Sequence, residues 1–473
     1  MEKDRNYIHL SVEDKMKPYQ FQRECLAEMQ QEKFNGRVLL NADMGLGKTP
    51  MSLWNLQKNF SRALPCIIIC PASLKYQWKN EVKSVLGIKA FVAEGRAPSK
   101  TKRVPKIVII NYDILQYWLQ WLKNKQPQSI VIDECQFIAN PSTHRTKAVK
   151  TLCFGMNNIT ALSGTPLMNR PIELFPILNI LKPITFSSRW SYGMKYCGGK
   201  RNQWGWEFKG ATNIEKLNKL LLDTCMVRRR KYEVLKDLPA KLRQVIPCKL
   251  SKSEYVEYNK ANNDFLNWLG ERDPEAVVRA ERAEAVVKLG YLLRLVADLK
   301  LKYVVQWVQD FLESTDRKLV VFANHRNVIS NLNEQIKSKS VVIDGSVPSA
   351  KRQEFVKRFQ TDDRIRVFIG NIKAAGVGLN LTASSDTVFT EMAWRPSDHT
   401  QAEDRCHRIG QRDTVWAHYF VAENTIEEEL CKIIQQKQEV ISNILDGKSV
   451  LGTLDVFDEF VRTINKRKGL LKW

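Results

Sequence analysis

Val38-Leu-Leu-Asn-Ala-Asp-Met-Gly-Leu-Gly-Lys-Thr49 decides the fold of this chain. An apolar run suited to a buried strand gives way to a loop with two glycines, then a lysine and a hydroxyl, then a run that reads as a helix. Gly45 and Gly47 give backbone N–H groups the freedom to turn inward around phosphate oxygens. Lys48 adds a point charge for the outer phosphates, and Thr49 an oxygen for Mg²⁺. Pro50 forfeits no helical hydrogen bond in a first turn. The stretch reads as a P-loop, with Ala42 where the strict pattern has glycine. The competing reading is a plain glycine-rich turn between strand and helix.

A site that cleaves a nucleoside triphosphate also needs carboxylates at the end of a neighbouring strand. Ser129-Ile-Val-Ile-Asp-Glu134 offers Asp133 as the metal-side carboxylate and Glu134 as the catalytic base. Alone, such a run is more often a strand entering a solvated loop, and its pairing with Lys48 reverses those odds. A third signal is Gln401-Ala-Glu-Asp-Arg-Cys-His-Arg-Ile-Gly410, which follows Pro396-Ser397, a helix start, and ends in a glycine suited to a C-cap. Gln401, Arg405 and Arg408 stand at helical spacing, so one helix face is expected to carry all three. Arg405 and Arg408 would then be arginine fingers reaching a γ-phosphate, against the bland alternative of a solvated polar face.

Short apolar runs alternate with helical stretches on both sides of these signals, which predicts an α/β chain with parallel sheets in two lobes. Candidate strands in the first half are Val38 to Leu40, Cys66 to Cys70, Ile107 to Ile110, Ile130 to Ile132 and Ile159 to Leu162. In the second half they are Leu319 to Phe322, Val341 to Ile343, Val367 to Ile369, Thr387 to Phe389 and Val415 to Val421. Residues 183 to 300 carry little strand pattern, and 252 to 312 read as helix. The expected domains are residues 1–182, a helical insertion and linker over 183–300, a second lobe over 301–440 and a tail over 441–473.

Lys and Arg number 74 against 51 Asp and Glu, a formal charge of +23, which makes an acidic polymer or an anionic surface the first partner to consider. The start lacks the apolar core of a signal peptide, and no apolar run approaches the roughly 18 residues of a membrane span. A soluble intracellular protein is expected: cytoplasmic in a bacterial or viral setting, nuclear in a eukaryotic one. The ten cysteines include no C-x-x-C pair and read as reduced, mostly buried thiols. Six histidines show no spacing that would join them in a structural zinc site, and none is expected.

In order along the chain, the motifs resemble a superfamily 2 helicase core, closest in wording to the Swi/Snf family of DNA translocases. They comprise Pro18-Tyr-Gln20, the P-loop, Cys70-Pro-Ala-Ser-Leu74, Asp133-Glu-Cys-Gln136, Leu162-Ser-Gly-Thr-Pro-Leu167, Ala375-Gly-Val-Gly-Leu-Asn-Leu-Thr382 and the segment from Gln401 to Gln411. The resemblance runs from about Met16 to Ile426. Within the family, Trp204-Gly-Trp206, Arg228-Arg-Arg-Lys231, Leu238-Pro-Ala-Lys241, Phe322-Ala-Asn-His325 and Glu391-Met-Ala-Trp-Arg-Pro396 look most like the annealing-helicase, or HARP-like, branch.

The resemblance implies two RecA-like lobes with helical insertions, ATP and Mg²⁺, and a DNA-stimulated ATPase that tracks duplex or branched DNA without reading its sequence. It implies that Gln20 reads the adenine edge beside Tyr19, and that Ser163, Gly164 and Thr165 couple nucleotide state to lobe movement. Gly376 and Gly378 would let backbone approach ATP or DNA phosphates, and Gln401 would join the nucleotide site. Ser73, Lys75, Asn111, Tyr112, Arg228, Arg229, His325, Asn371 and Lys373 become candidates for DNA contact, as does the tryptophan-rich segment 190–206. A monomer is the family default, with an unknown targeting protein as a further partner.

Three positions depart from the family pattern. Gln136 replaces the usual histidine, which puts the coupling between ATP and DNA through that side chain in question, and Ala42 and Asn371 replace commoner residues. Only 17 residues precede Pro18, so a bare motor is expected within this sequence. Two alternatives stay open: a strand-separating DNA or RNA helicase, and a non-catalytic basic scaffold.

Overall fold

The computed structural model describes residues 17–98, 105–164, 170–202, 205–263, 284–375 and 379–445. The chain divides into two compact units, the first running up to Asp237 and taking in the described residues from Ile441 on, the second spanning Leu238–Val440.

The first unit is built on a parallel sheet of seven strands: β1 (Arg37–Ala42), β2 (Cys66–Cys70), β3 (Phe91–Val92), β4 (Ile107–Asn111), β5 (Ser129–Ile132), β6 (Asn158–Ser163) and, after a small antiparallel hairpin of β7 (Lys200–Asn202) and β8 (Gly205–Glu207), β9 (Met226–Arg229). Their order is β3-β4-β2-β5-β6-β1-β9. Cys-Ile-Ile-Ile-Cys in β2 and Ile-Val-Ile-Ile in β4 are buried on both faces, which is why these strands read as continuous apolar runs. Parallel pairing sends every carboxyl end to one edge, and each strand leaves that edge through a loop and helix.

The second unit repeats the plan with six parallel strands: β10 (Lys241–Cys248), β11 (Leu319–Ala323), β12 (Ser340–Ile343), β13 (Val367–Asn371), β14 (Asp386–Phe389) and β15 (Val415–Ala422), ordered β10-β15-β14-β11-β13-β12. The helix Glu284–Ser314 buries Leu292, Val296, Val304 and Val308 in the clusters that back this sheet. Helix also covers Lys252–Asn263, while residues 264–283 of the expected helical region lie outside the described residues.

All ten expected strands are present, and the reading of 183–300 as nearly strandless is corrected: the β7–β8 hairpin, β9 and β10 all lie inside it. β9 and β10 are edge strands with open flanks, so Met-Val-Arg-Arg and Lys-Leu-Arg-Gln lack the apolar run that marks a central strand. All ten cysteines are buried free thiols. Burial pushes Cys66 up to about 12 and Cys25 to about 11, which leaves them poor nucleophiles.

Candidate ATP site and DNA-contacting residues

The loop after β1 turns through two left-handed residues, Gly45 (φ +85) and Gly47 (φ +80), before α2 (Lys48–Lys58) begins at Lys48. Its positive φ favours glycine, and a Cβ on Gly47 would stand 2.6 Å from Gln22 Nε2 and push that amide aside. Gln22 lies in α1 (Gln20–Met29), where its Oε1 accepts from the Tyr19 N–H at 2.9 Å and its Nε2 donates to the Leu46 carbonyl at 3.0 Å. It ties the helix to the phosphate loop, and nothing in its sequence position marked it out. Gln20, named from the motif, is exposed and its amide donates to Glu24 at 2.9 Å, while Tyr19 stacks on Phe21 at 6.1 Å.

Lys48 Nζ donates to the Ala42 carbonyl at 2.8 Å, inside its own loop. A Cβ on Gly164 would come within 3.1 Å of that nitrogen and 2.8 Å of Met44 Cγ, so the end of β6 packs directly on the phosphate loop. Thr49 follows in the first turn of α2.

The carboxylates stand at the end of β5, with β6 between them and β1. Asp133 accepts from Trp78 Nε1 at 2.7 Å and from the Glu134 N–H at 3.0 Å. Burial pushes the Asp133 carboxyl up to about 7, the Glu134 charge adds to that, and Trp78 and Lys48 pull it back. Glu134 sits at φ +50, in a left-handed turn directly after Asp133. Gln136 does what its amide allows in both directions: Nε2 donates to Glu134 Oε2 at 2.6 Å, and Oε1 accepts from the Ser163 hydroxyl at 2.8 Å. One side chain thus bridges the carboxylate loop to the end of β6.

The same sheet edge continues through the candidates beyond β5. Asn111 ends β4 in register with Cys70 of β2 and is buried, with its amide on Asp113 at 3.4 Å. Tyr112 is 2% exposed and its hydroxyl donates to the Asp133 carbonyl at 2.5 Å, a buttress for the carboxylate loop. Ser73 is half-buried, and Lys75 donates to the Ala93 carbonyl at 2.9 Å. Arg228 and Arg229 lie in β9 beside Asn41 and Ala42, flanking the phosphate loop. Burial and the Arg230 charge bring Arg228 down to about 10, while Arg229 pairs with Glu28 at 2.7 Å.

In the second unit, His325 after β11, Asn371 at the end of β13 and Lys373 line one cavity of about 410 Å³, together with Trp394 and the buried Glu391. Glu391 accepts from the Asn324 and His325 N–H groups at 2.7 and 3.0 Å and pairs with the His325 ring. Asn371 Nδ2 donates to the Asn324 carbonyl at 2.6 Å, so three strand ends are knotted around one carboxylate.

The expected single helix face for Gln401, Arg405 and Arg408 is corrected. Helix covers Pro396–Glu403 and ends there, placing Gln401 on it and both arginines on the turns beyond. Gln411 Nε2 donates to the carbonyls of Cys406, Thr382 and Ser384, and Arg408 donates to Leu379 at 3.0 Å, contacts that draw the backbone off the helical path. Thr165, Trp204, Gly376 and Gly378 lie outside the described residues.

Against known proteins, the SNF2-related domain matches residues 21–300 and the helicase conserved C-terminal domain residues 300–410. A Caenorhabditis elegans protein named SWI/SNF-related matrix-associated actin-dependent regulator of chromatin subfamily A-like protein 1 homolog is 30% identical over 89% of this chain and 61% of its own length. The human DNA annealing helicase and endonuclease ZRANB3 is 31% identical over 88% of this chain and 39% of its own length. The chain therefore spans less than two thirds of these curated relatives. A solved Sulfolobus solfataricus SWI2/SNF2 ATPase core in complex with dsDNA aligns over 96% of this chain and 97% of its own, at 24% identity and a TM-score of 0.44. The SNF2-related match alone runs over more than half of the 473 residues, and the chain belongs to that family of helicase-type ATP hydrolases.

Proposed function

We propose that this ATP hydrolase couples turnover to translocation along duplex DNA, and that it remodels or anneals branched DNA in preference to peeling strands apart. The observation that carries the reading is the bridge from Glu134 through Gln136 to Ser163, beside a phosphate loop packed on Gly164. It joins the groups that would sense the γ-phosphate to the strand end that follows.

In this reading the loop N–H groups and Lys48 Nζ hold the phosphates, and Lys48 exchanges its loop carbonyl for a phosphate oxygen. Asp133 and Thr49 suit a divalent cation: the Asp133 carboxyl is raised by burial beside a second acid, a surplus of negative charge that a cation would relieve. When bound, Mg²⁺ spreads the negative charge of the transferring phosphoryl group. Glu134, with Oε2 engaged by Gln136, orients a water and accepts its proton on Oε1. Arg405 and Arg408 supply cationic charge to the γ-phosphate, with Gln401 beside them.

Ser73, Lys75, Arg228, His325, Asn371 and Lys373 stand at or near strand ends suited to gripping phosphates of one strand, and the net charge of +23 favours binding that is independent of sequence and steeply salt-dependent. The named activity of ZRANB3, DNA annealing, supports a DNA substrate whose strands are kept or brought together. The protein would act as a monomer, with any targeting left to a partner.

Triplex displacement tests the reading. ATP-dependent release of a third strand from a blunt duplex, with the duplex strands staying paired, is the expected result. Robust separation of a tailed duplex would favour the strand-separating alternative instead.

A further inference from the structure

Glu403 is fully buried in the second unit and is the last residue of the helix that precedes Arg405. Burial alone would raise its carboxyl, but Lys241 and Arg243 hold it down to about 2. Lys241 Nζ lies 2.9 Å from Glu403 Oε2 and 2.9 Å from Asp404 Oδ1. Arg243 meets the same carboxylate with a fork, Nε to Oε1 at 2.6 Å and Nη2 to Oε2 at 2.8 Å. Tyr419 donates its hydroxyl to Oε1 at 2.7 Å, and His407 Nε2 donates to the Pro239 carbonyl at 2.8 Å.

These contacts share one origin. Pro239, Lys241 and Arg243 belong to the first few residues of the second unit, and β10 is set against β15 with Lys241 opposite Val415 and Arg243 opposite Ala417. Two residues apart on a strand, Lys241 and Arg243 project to the same face. They reach residues 403 and 404, and Pro239 reaches 407, so the clamp brackets Arg405 on both sides. A buried ion network is a weak source of net stability, whereas the fork of an arginine on a carboxylate fixes orientation strongly. The helix also stops at the clamped residue, and the backbone that carries Arg405 and Arg408 starts from it.

We infer that Lys241 and Arg243 are positioning residues for Arg405 and Arg408, setting the arginine-bearing turn through Glu403 and Asp404. The inference rests on the arginine reading given above. Neither residue touches nucleotide in this scheme; both act through the turn.

The test uses the 473-residue chain, with ATP hydrolysis at saturating duplex DNA, nucleotide and DNA affinities, and thermal melting. Arg243→Lys keeps the charge and loses the fork, and Tyr419→Phe removes only a hydroxyl. Arg243→Lys should lower kcat about 10-fold or more while KM and DNA affinity stay within about threefold, because small misplacement of a reacting group is costly. Tyr419→Phe should move kcat the same way by about threefold. Arg243→Lys combined with Arg405→Ala should be no slower than Arg405→Ala alone, the signature of residues acting as a unit. Parent-like kcat in both single variants, losses that multiply in the double variant, or losses that merely follow the unfolded fraction would each overturn the inference. Arg405→Ala turning over ATP at the parent rate would overturn the arginine reading, and the positioning role with it.

Discussion

The phosphate loop and the arginine-bearing turn are both short motifs, yet they are shaped by different forces. Between β1 and α2 the conformation is dictated locally: two glycines at positive φ and a lysine opening a helix would build much the same loop in any α/β sheet. From Gln401 to Gln411 the local signal points to a helix, but partners 160 to 163 residues away, Lys241 and Arg243, and the three carbonyls held by Gln411 end it at Glu403. A motif whose chemistry lies in its backbone survives translation into structure, whereas one whose chemistry lies at the tips of long side chains is placed by the rest of the fold.

The sharpest way to break the local half of this contrast is Lys48→Ala. Turnover should fall by roughly 10³-fold or more, the order seen when charge stabilisation is removed from phosphoryl transfer, with DNA affinity little changed. Loss of DNA binding together with turnover would make Lys48 a structural residue.

The long-range half can be broken at Lys300, which is fully buried between the Glu427 carboxylate, at 2.6 and 2.7 Å, and the Phe420 carbonyl, at 2.7 Å. Lys300→Met strands Glu427 and should cost about 3 to 5 kcal/mol in urea unfolding, with Lys300→Met/Glu427→Leu recovering much of it. A double variant no better than the single would show that packing, not charge, dominates there.

His399 sharpens the same half through pH. Burial, helped by the Arg243 charge, holds it down to about 4 from 6.5 against the Ala393 backbone hydrogen bond and the Glu403 charge, which raise it. Between those values the unfolded chain binds the extra proton, so stability is complete above about 6.5 and drains away as pH falls towards about 4, by roughly 3 kcal/mol. Unfolding at pH 7 and pH 5 should show most of that slope in the parent and little in His399→Leu.

The smallest expected effect joins the two kinds of motif. Gln136→Leu removes both legs of the bridge between Glu134 and Ser163 and should cut DNA stimulation of ATPase about 10-fold, near 1.4 kcal/mol, with basal turnover less affected. Gln136→His should keep part of it, since an imidazole also donates and accepts. Equal loss of basal and stimulated rates would place Gln136 in the chemical step.

Much of the architecture was legible because buried parallel strands are apolar along their whole length, as Cys-Ile-Ile-Ile-Cys and Ser-Ile-Val-Ile are. β9 and β10 were not, because an edge strand can be half polar, and the arginines of β9 stood out as candidates for DNA contact while Arg229 is engaged with Glu28. Gln22, Trp78 and Tyr112 show a further limit. Each reaches the ATP-side loops by hydrogen bonding from another part of the chain, and no spacing rule encodes such a meeting. Trp78 and Tyr112 matter by holding Asp133 in place, a duty that any buried donor at the right point could perform.

The most direct measurement is steady-state ATP hydrolysis without nucleic acid and with duplex, forked and single-stranded DNA and RNA, taking Glu134→Gln as the blank. The expected result is a rate well above the blank that rises with duplex or forked DNA. A rate that no polymer lifts above the blank would contradict a DNA-driven motor, and stimulation by RNA or single strands alone would contradict tracking on duplex DNA.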